Sequence, residues 1–414
     1  GFGAAFSATN VLNNRVASVD HMRISVAYRV TATVTNRMGA TNVTQETAWL
    51  NGGASAGDPA PAFAFFWGPT DGGTTRASWS NRIDMGTLNG DFTTNVTGLL
   101  ANRIYYYRAY ASNSAAESWA PSTTNFQTLP PAASLSVGSS SFAENGGQSV
   151  VTASLSAVSY SDVTVNLGFS GTATTNVDYS SSSTQIVIAA GAADGSITLT
   201  GINDGLIEGT ESVNILIGSL VNATNGGVTN VTATVLDNDN MITVGTNGNG
   251  TITPGSAVVD DGGSTNFVFS AAANCHVTSI TTNGGHIADS PYSGNTVTST
   301  NVTWDNVTAD GTITGSFAID THTLTASSAG NGSVTTPGEG VFTNNYGATP
   351  AIVATPAANY HFAFWSGTAA DAGKIADTNA AGSTVTVHGD YTAVANFAID
   401  THTLTASSAG NGSV

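Results

Sequence analysis

The eighteen residues FAIDTHTLTASSAGNGSV occupy Phe317–Val334 and recur unchanged at Phe397–Val414, 80 residues later. Identity over such a stretch at such a period means small modules that are stacked or strung together. A diverged relative precedes the first copy. Met241–Asp320 opens with ITVGTNGNGTITP where the next unit opens with LTASSAGNGSVTTP. Each opening reads as a strand, an Asn-Gly turn and a second strand. That pattern predicts a β-hairpin, because Asn and Gly accept the positive φ of a type I′ turn. Ile319-Asp320-Thr321-His322 passes from one unit to the next with no Gly/Ser spacer, which predicts a stiff junction. The last copy runs only to Val414, so 401–414 reads as the first strand of a further repeat and the sequence as a piece of a longer array.

Composition sets the fold class. Apolar residues make up 40% of the 414 residues, enough for packed cores, while charged residues are only 9%. The length suggests three or four domains. β-Branched residues mixed with Gly, Asn and Ser predict many short strands, so the expected class is all-β, a string of small β-sandwich and β-rich repeat domains. The net charge is −18, and Lys374 is the one lysine. Such a surface repels phosphate backbones and anionic lipid, which argues against nucleic-acid binding and against membrane attachment. No run of about 18 apolar residues is present to span a membrane as a helix. The start, Gly1-Phe2-Gly3, has no initiator Met and no signal-peptide pattern. The single cysteine, Cys275, allows no internal disulfide.

The segment Pro356-Ala357-Ala358-Asn359-Tyr360-His361-Phe362-Ala363-Phe364-Trp365-Ser366-Gly367 resembles the "P-x-x-G-Y-x-F-x-x-W-S-G" signature of the divergent bacterial repeats related to the internalin B-repeat. The earlier unit keeps Ala271-Ala272-Ala273-Asn274-Cys275-His276-Val277 without the Trp. The resemblance covers 241–414, divided as 241–320, 321–400 and the start of a third unit. It implies a small β module of bacterial surface proteins. Tyr360, Phe362 and Trp365 are expected in its core, with a sugar-stacking surface as the other reading.

In the first half, Leu99–Asn113 is the clearest strand, with Tyr105, Tyr107, Ala109 and Ala111 on one face. Leu99, Tyr105 and Ala111-Ser112-Asn113 fit the spacing of a fibronectin type III strand, so 37–130 resembles that family. The resemblance implies a corner tyrosine, Tyr105, whose hydroxyl bonds back to nearby backbone. Phe66–Gly73 departs from the pattern and suggests an enlarged loop. Residues 1–36 are expected to be the tail of a preceding β domain or N-terminal strands, and Pro130-Pro131 to mark the next boundary.

Residues 131–240 carry the chemistry. In order come Glu144-Asn145-Gly146-Gly147, Gly171-Thr172-Ala173, Asp178-Tyr179, Asp204 to Glu211, and Asp237-Asn238-Asp239. Nearly all the acids fall at strand ends and loops. Gathered at one pole of a sandwich, such carboxylates repel and raise each other's pKa. Calcium relieves this with six to eight oxygen ligands and tolerant geometry, whereas magnesium demands a stricter octahedron. The ordered set resembles a Calx-β domain. That resemblance implies Glu144, Asp178, Asp204, Glu208, Glu211, Asp237 and Asp239 as Ca2+ ligands. Asn238 interrupts what is often a run of three acids.

Other signals are weak. Asn42, Asn95, Asn222, Asn230, Asn301 and Asn306 begin Asn-x-Ser/Thr triplets, common by chance in a chain this rich in Asn and Thr. Cys275-His276 and His286 lack zinc spacing. No Gly-x-Ser-x-Gly elbow accompanies any His. The expected function is therefore non-enzymatic: a calcium-stabilised structural segment of a microbial secreted or cell-surface stalk, adhesin or extracellular fibre. Its expected partners are neighbouring domains of a longer chain, a second copy through strand addition by 401–414, and surface glycans. The alternative is a carbohydrate-binding accessory region of a secreted polysaccharide-degrading protein, with Trp67, Trp79 or Trp365 stacking on sugars.

Overall fold

The computed structural model of the chain describes residues 30–114, 116–283 and 297–413. Among the described residues the architecture is all-β, interrupted by one helical turn at Thr368–Asp371 and one 3-10 turn at Arg76–Ser78. The chain divides into two compact units. One comprises Gly1–Phe142, Gln148–Thr200 and Ser212–Thr234; the other comprises Ala143–Gly147, Gly201–Glu211 and Val235–Val414.

The first unit opens with a sandwich. Strands Val34–Thr35, Ala48–Ala54 and Gly90–Val96 form one sheet. Asn81–Thr87, Ala62–Gly68 and Ile104–Ser112 form the other, with Glu117–Trp119 and Thr124–Gln127 both paired to Ile104–Ser112. The sheets bury Leu50, Phe92, Phe63, Phe65, Tyr105 and Tyr107 between them. Alternation along Ile104–Ser112 places Tyr105, Tyr107, Ala109 and Ala111 in this core. Tyr110 points the other way, into a second small cluster with Phe66 and Trp79. The enlarged loop after Gly68 thus supplies Trp79 to cover the outer face. The Tyr105 hydroxyl accepts the Leu100 N–H at 3.0 Å, the expected corner.

Residues 30–36 are not a separate tail. Val34 pairs with Ala54, and the buried Asn36 accepts from Ala109 N at 2.8 Å and donates to Ser122 O at 2.9 Å. Residues 1–29, the rest of the expected tail, lie outside the described residues, as does His286.

A second sandwich follows. One sheet runs Ser141–Ala143, Asn230–Leu236, Glu211–Val221, Val163–Gly171, Gln185–Ile188. The other runs Tyr179–Ser181, Asp194–Gly201, Gln148–Leu155, Ala132–Val137, Thr224–Asn225. Its inward residues alternate, as in Val163 and Val165 or Ile197 and Leu199, all buried. The two sandwiches touch. Ala101 N donates to Val158 O, Tyr160 N donates to Ala101 O, and the Arg103 guanidinium lies 4.2 Å from the Tyr160 ring centre.

The second unit contains two modules of one topology. In the first, Ser256–Asp260, Asp239–Thr246, Gly311–Ile319 and Cys275–Thr282 face Gly250–Thr253, Gly263–Ala271 and Ser299–Val307. In the second, Gly340–Asn345, Thr321–Ser328, Tyr391–Ile399 and Tyr360–Ser366 face Gly332–Thr336, Ala351–Pro356 and Gly382–Thr384. Each module's first strand runs parallel to its last.

The expected Asn-Gly hairpin does not form in either module. The strands flanking the turn belong to opposite sheets, so the turn carries the chain across the core. Gly250 and Gly332 therefore lie over aromatic rings: a Cβ would come within 2.5 Å of Phe317 and 2.6 Å of Phe397, respectively. In the second module the positive φ values fall on Gly330 and Asn331, one residue before the expected pair. Residues 401–413 form no strand and are exposed, so the expected first strand of a further repeat is not made within this chain.

The core beneath Gly332 yields a prediction. Gly332→Ala should destabilise the second module by about 1–3 kcal/mol through overpacking against Phe397. Gly382→Ala, with nothing near its Cβ, should leave it within error. Scanning calorimetry of both variants decides, and equal melting of the two would refute the packing role.

Candidate metal centre

Glu144 sits in a turn directly after Ser141–Ala143, where Gly146 adopts φ +87° and Gly147 N returns to Ala143 O at 3.0 Å. Strand Asp194–Gly201 ends against this turn. A Cβ on Gly201 would lie 2.6 Å from Glu144 Cα, so only glycine lets the two segments touch. The chain then enters the loop that carries Asp204. The Asp204 carboxylate accepts Leu206 N at 2.8 Å, fixing the loop locally, and Asp204 N donates to Glu144 Oε1 at 3.3 Å. Asp239 is the first residue of Asp239–Thr246, three residues beyond the end of the last strand of the sandwich, Asn230–Leu236.

These three segments bring Glu144, Asp204 and Asp239 together, with one carboxylate oxygen of each within 4.8 Å of the others. Glu144 is 5% exposed and Asp239 is 8% exposed. Neither oxygen of Asp239 meets a hydrogen-bond donor. None of the ion pairs among the described residues includes Glu144, Asp204 or Asp239.

Electrostatics record the strain. Burial pushes the Glu144 carboxyl above its ordinary value, partly offset by Asp204 N–H and reinforced by Asp237, Asp239 and Asp204. Burial also raises Asp239, helped first by Asp260 and then by Asp237 and Asp204. A buried anion with no donor and no counter-charge costs several kcal/mol. A cation coordinated by the three acids removes that cost. Their carboxylates offer up to six hard oxygens, the donor chemistry of calcium.

Asp237 is held by backbone N–H groups. Burial tends to raise Asp237, but the N–H groups of Asp239, Gly209 and Glu208 outweigh it and hold the carboxyl below the ordinary range. Its Oδ2 accepts Glu208 N at 2.8 Å and Gly209 N at 2.9 Å, and its Oδ1 accepts Asp239 N at 2.8 Å. Asp237 is thus the anchor of the 204–211 loop and of Asp239. Glu208 and Glu211 lie on that loop and at the start of the following strand. Asp178 belongs to the first unit, where its Oδ2 accepts Thr174 N at 2.6 Å. The Asn238 side chain has both polar atoms buried without partners. Asp260, beyond the expected ligand set, is the neighbour sequence reasoning missed. Its signal was Asp260-Asp261 before Gly262-Gly263, which marks a strand end and a turn close to Asp239 in sequence.

Comparison with known proteins agrees with the modular reading for one segment. Residues 322–401 match the family model of the Divergent InlB B-repeat domain. No curated protein matches the chain. Among solved structures, the chain is similar to CBD12 from CALX1.2 at 12% identity and TM-score 0.22, covering 49% of this chain and 99% of that one. It is similar to the calcium binding domain CBD12 of CALX1.1 at 11% identity and TM-score 0.21, covering 50% and 100%. It is also similar to the chicken CNTN1 FN1-FN3 domains at 11% identity and TM-score 0.21, covering 68% and 90%. Likeness at these TM-scores has no bearing on what the chain binds.

Asp237 gives this site its own test. Asp237→Ala leaves three backbone N–H groups without their acceptor, which should cost about 2 kcal/mol or more. Hydrogen exchange at Glu208, Gly209 and Asp239 should accelerate together. Unchanged exchange at all three would remove Asp237 as the anchor.

Proposed function

We propose that this chain is a non-enzymatic structural segment of a secreted or cell-surface multidomain stalk, adhesin or extracellular fibre, stabilised by calcium. The observation that carries the calcium reading is Asp239: a nearly buried carboxylate with two unpartnered oxygens, gathered with Glu144 and Asp204. Buried polar groups are rarely left unpaired, and an unpaired one calls for a missing partner. Calcium fits better than magnesium because the acids come from three separate segments and fix no octahedron.

The mechanical reading draws on the junctions. Between the two modules only Asp320 separates strand Gly311–Ile319 from strand Thr321–Ser328. Asp320 N donates to Asn274 O at 2.9 Å, its carboxylate meets His276 Nδ1 at 2.8 Å, and its carbonyl accepts Tyr346 N at 2.8 Å. The same latch recurs at Asp400, which bonds Asn359 O and His361 Nδ1. Junctions fastened through backbone suit a segment that transmits force or holds spacing. No helix of the described residues is long and apolar enough to cross a membrane. An extracellular setting, with calcium near millimolar, suits a site of modest affinity.

The sugar-binding alternative asks for exposed, coplanar aromatics. Trp79 and Trp365 are buried, and Trp67 packs against the first core. The Trp365 indole N–H is bonded to Ala380 O at 3.0 Å. These side chains serve packing.

Calcium titration of the chain, with magnesium in parallel, tests the reading. Binding is expected at about 10⁻⁴–10⁻³ M. At a hundredfold excess over Kd, stability should rise by about 2.7 kcal/mol. Glu144→Gln with Asp239→Asn should abolish both effects. No calcium heat and an unchanged melting temperature would refute it.

A further inference from the structure

We infer that the cation seat of Glu144, Asp204 and Asp239 takes a further carboxylate, Asp260, from the module that follows the sandwich, so that the bound calcium clamps the sandwich pole to that module. The inference rests on the calcium reading above and extends it from a domain stabiliser to a junction clamp.

Asp239 and Asp260 face each other directly in the antiparallel pair of Asp239–Thr246 with Ser256–Asp260. Like charges in that relation destabilise a pair of strands. Every other pair in the ladder is uncharged: Asn240 with Val259, Met241 with Val258, Ile242 with Ala257 and Thr243 with Ser256. Among the charges acting on Asp239, that of Asp260 weighs most. A cation between them turns the least favourable pair of the ladder into its most strongly bound one.

Asp260 is also tied to the loop of the existing seat. Asn203 Nδ2 donates to Asp260 Oδ2 at 3.0 Å, and Asn203 immediately precedes Asp204. One oxygen of Asp260 is thereby fixed, and the other remains for a cation. The backbone follows the same path, with Asp261 N donating to Asn238 O at 2.6 Å. Three carboxylates fill six calcium positions only if all are bidentate, and calcium accepts up to eight. The seat thus has room for a further oxygen from the following module, beside those of Asp239.

The test uses the full chain and calcium alone. Asp260→Asn keeps an acceptor for Asn203 and removes the charge. It should weaken calcium binding about tenfold, in line with the dependence of such sites on ligand charge. Asp305→Asn, an exposed acid on the opposite sheet of the same module, should change it less than about twofold, the size of a remote surface charge effect. Calcium should slow amide exchange along Ser256–Asp260 in the unaltered chain and leave it unchanged in Asp260→Asn. Without calcium the variant should melt no lower than the unaltered chain, since a like-charge pair is gone. If the unaltered chain binds calcium and Asp260→Asn binds it equally, the clamp is overturned while the calcium reading stands. Protection confined to 143–147 and 201–211 overturns it as well. So does a lower melting temperature of the variant without calcium, which would make Asp260 a structural hydrogen-bond acceptor instead. If the unaltered chain binds no calcium, both readings fall.

Discussion

Carboxylates buried side by side without a counter-charge set the terms for this chain. Glu144, Asp204 and Asp239 are held in place by backbone contacts that need no cation: the close approach at Gly201, the Leu206 N–H on Asp204, and the Asp237 anchor on Asp239 N. Those backbone contacts therefore fix the arrangement of the three acids. Calcium would offset their repulsion. Because Asp239 already belongs to the first strand of the next module, that offset falls where one domain becomes another.

The rest of the array follows from how strands are completed. The residues Thr321–Ser328 form a strand flanked by Gly340–Asn345 and Tyr391–Ile399. The same residue types at 401–408 form none. Sequence alone does not make this strand; a supplied ladder does, since an isolated strand leaves its backbone groups unpaired. The same rule explains why each module draws its first strand alongside its last. It also explains why the junction at Asp320 is fastened by backbone bonds rather than spanned by a linker.

Much of this was legible from residues. The duplicated segment announced modules, and the alternation in Leu99–Asn113 announced a sandwich face with Tyr105 at its corner. The spacing of Glu144, Asp204 and Asp239 announced an acidic pole. The failures have physical causes. The Asn-Gly turns looked like hairpins because turn chemistry is local, whereas the sheet that each flanking strand joins is decided by Phe317 and Phe397 packing beneath Gly250 and Gly332. The three backbone N–H groups that Asp237 accepts were not legible either, because a carboxylate in sequence does not reveal its donors. Asp260 was missed because its place opposite Asp239 depends on the register of a strand pair, and the His276–Asp320 latch because it depends on strands far apart in sequence.

Crystals of the chain grown with calcium and measured for anomalous scattering test the central claim most directly. The acidic seat predicts a single strong peak within about 2.3–2.6 Å of carboxylate oxygens from Glu144, Asp204 and Asp239. A calcium-saturated crystal with no peak among these three acids would contradict it.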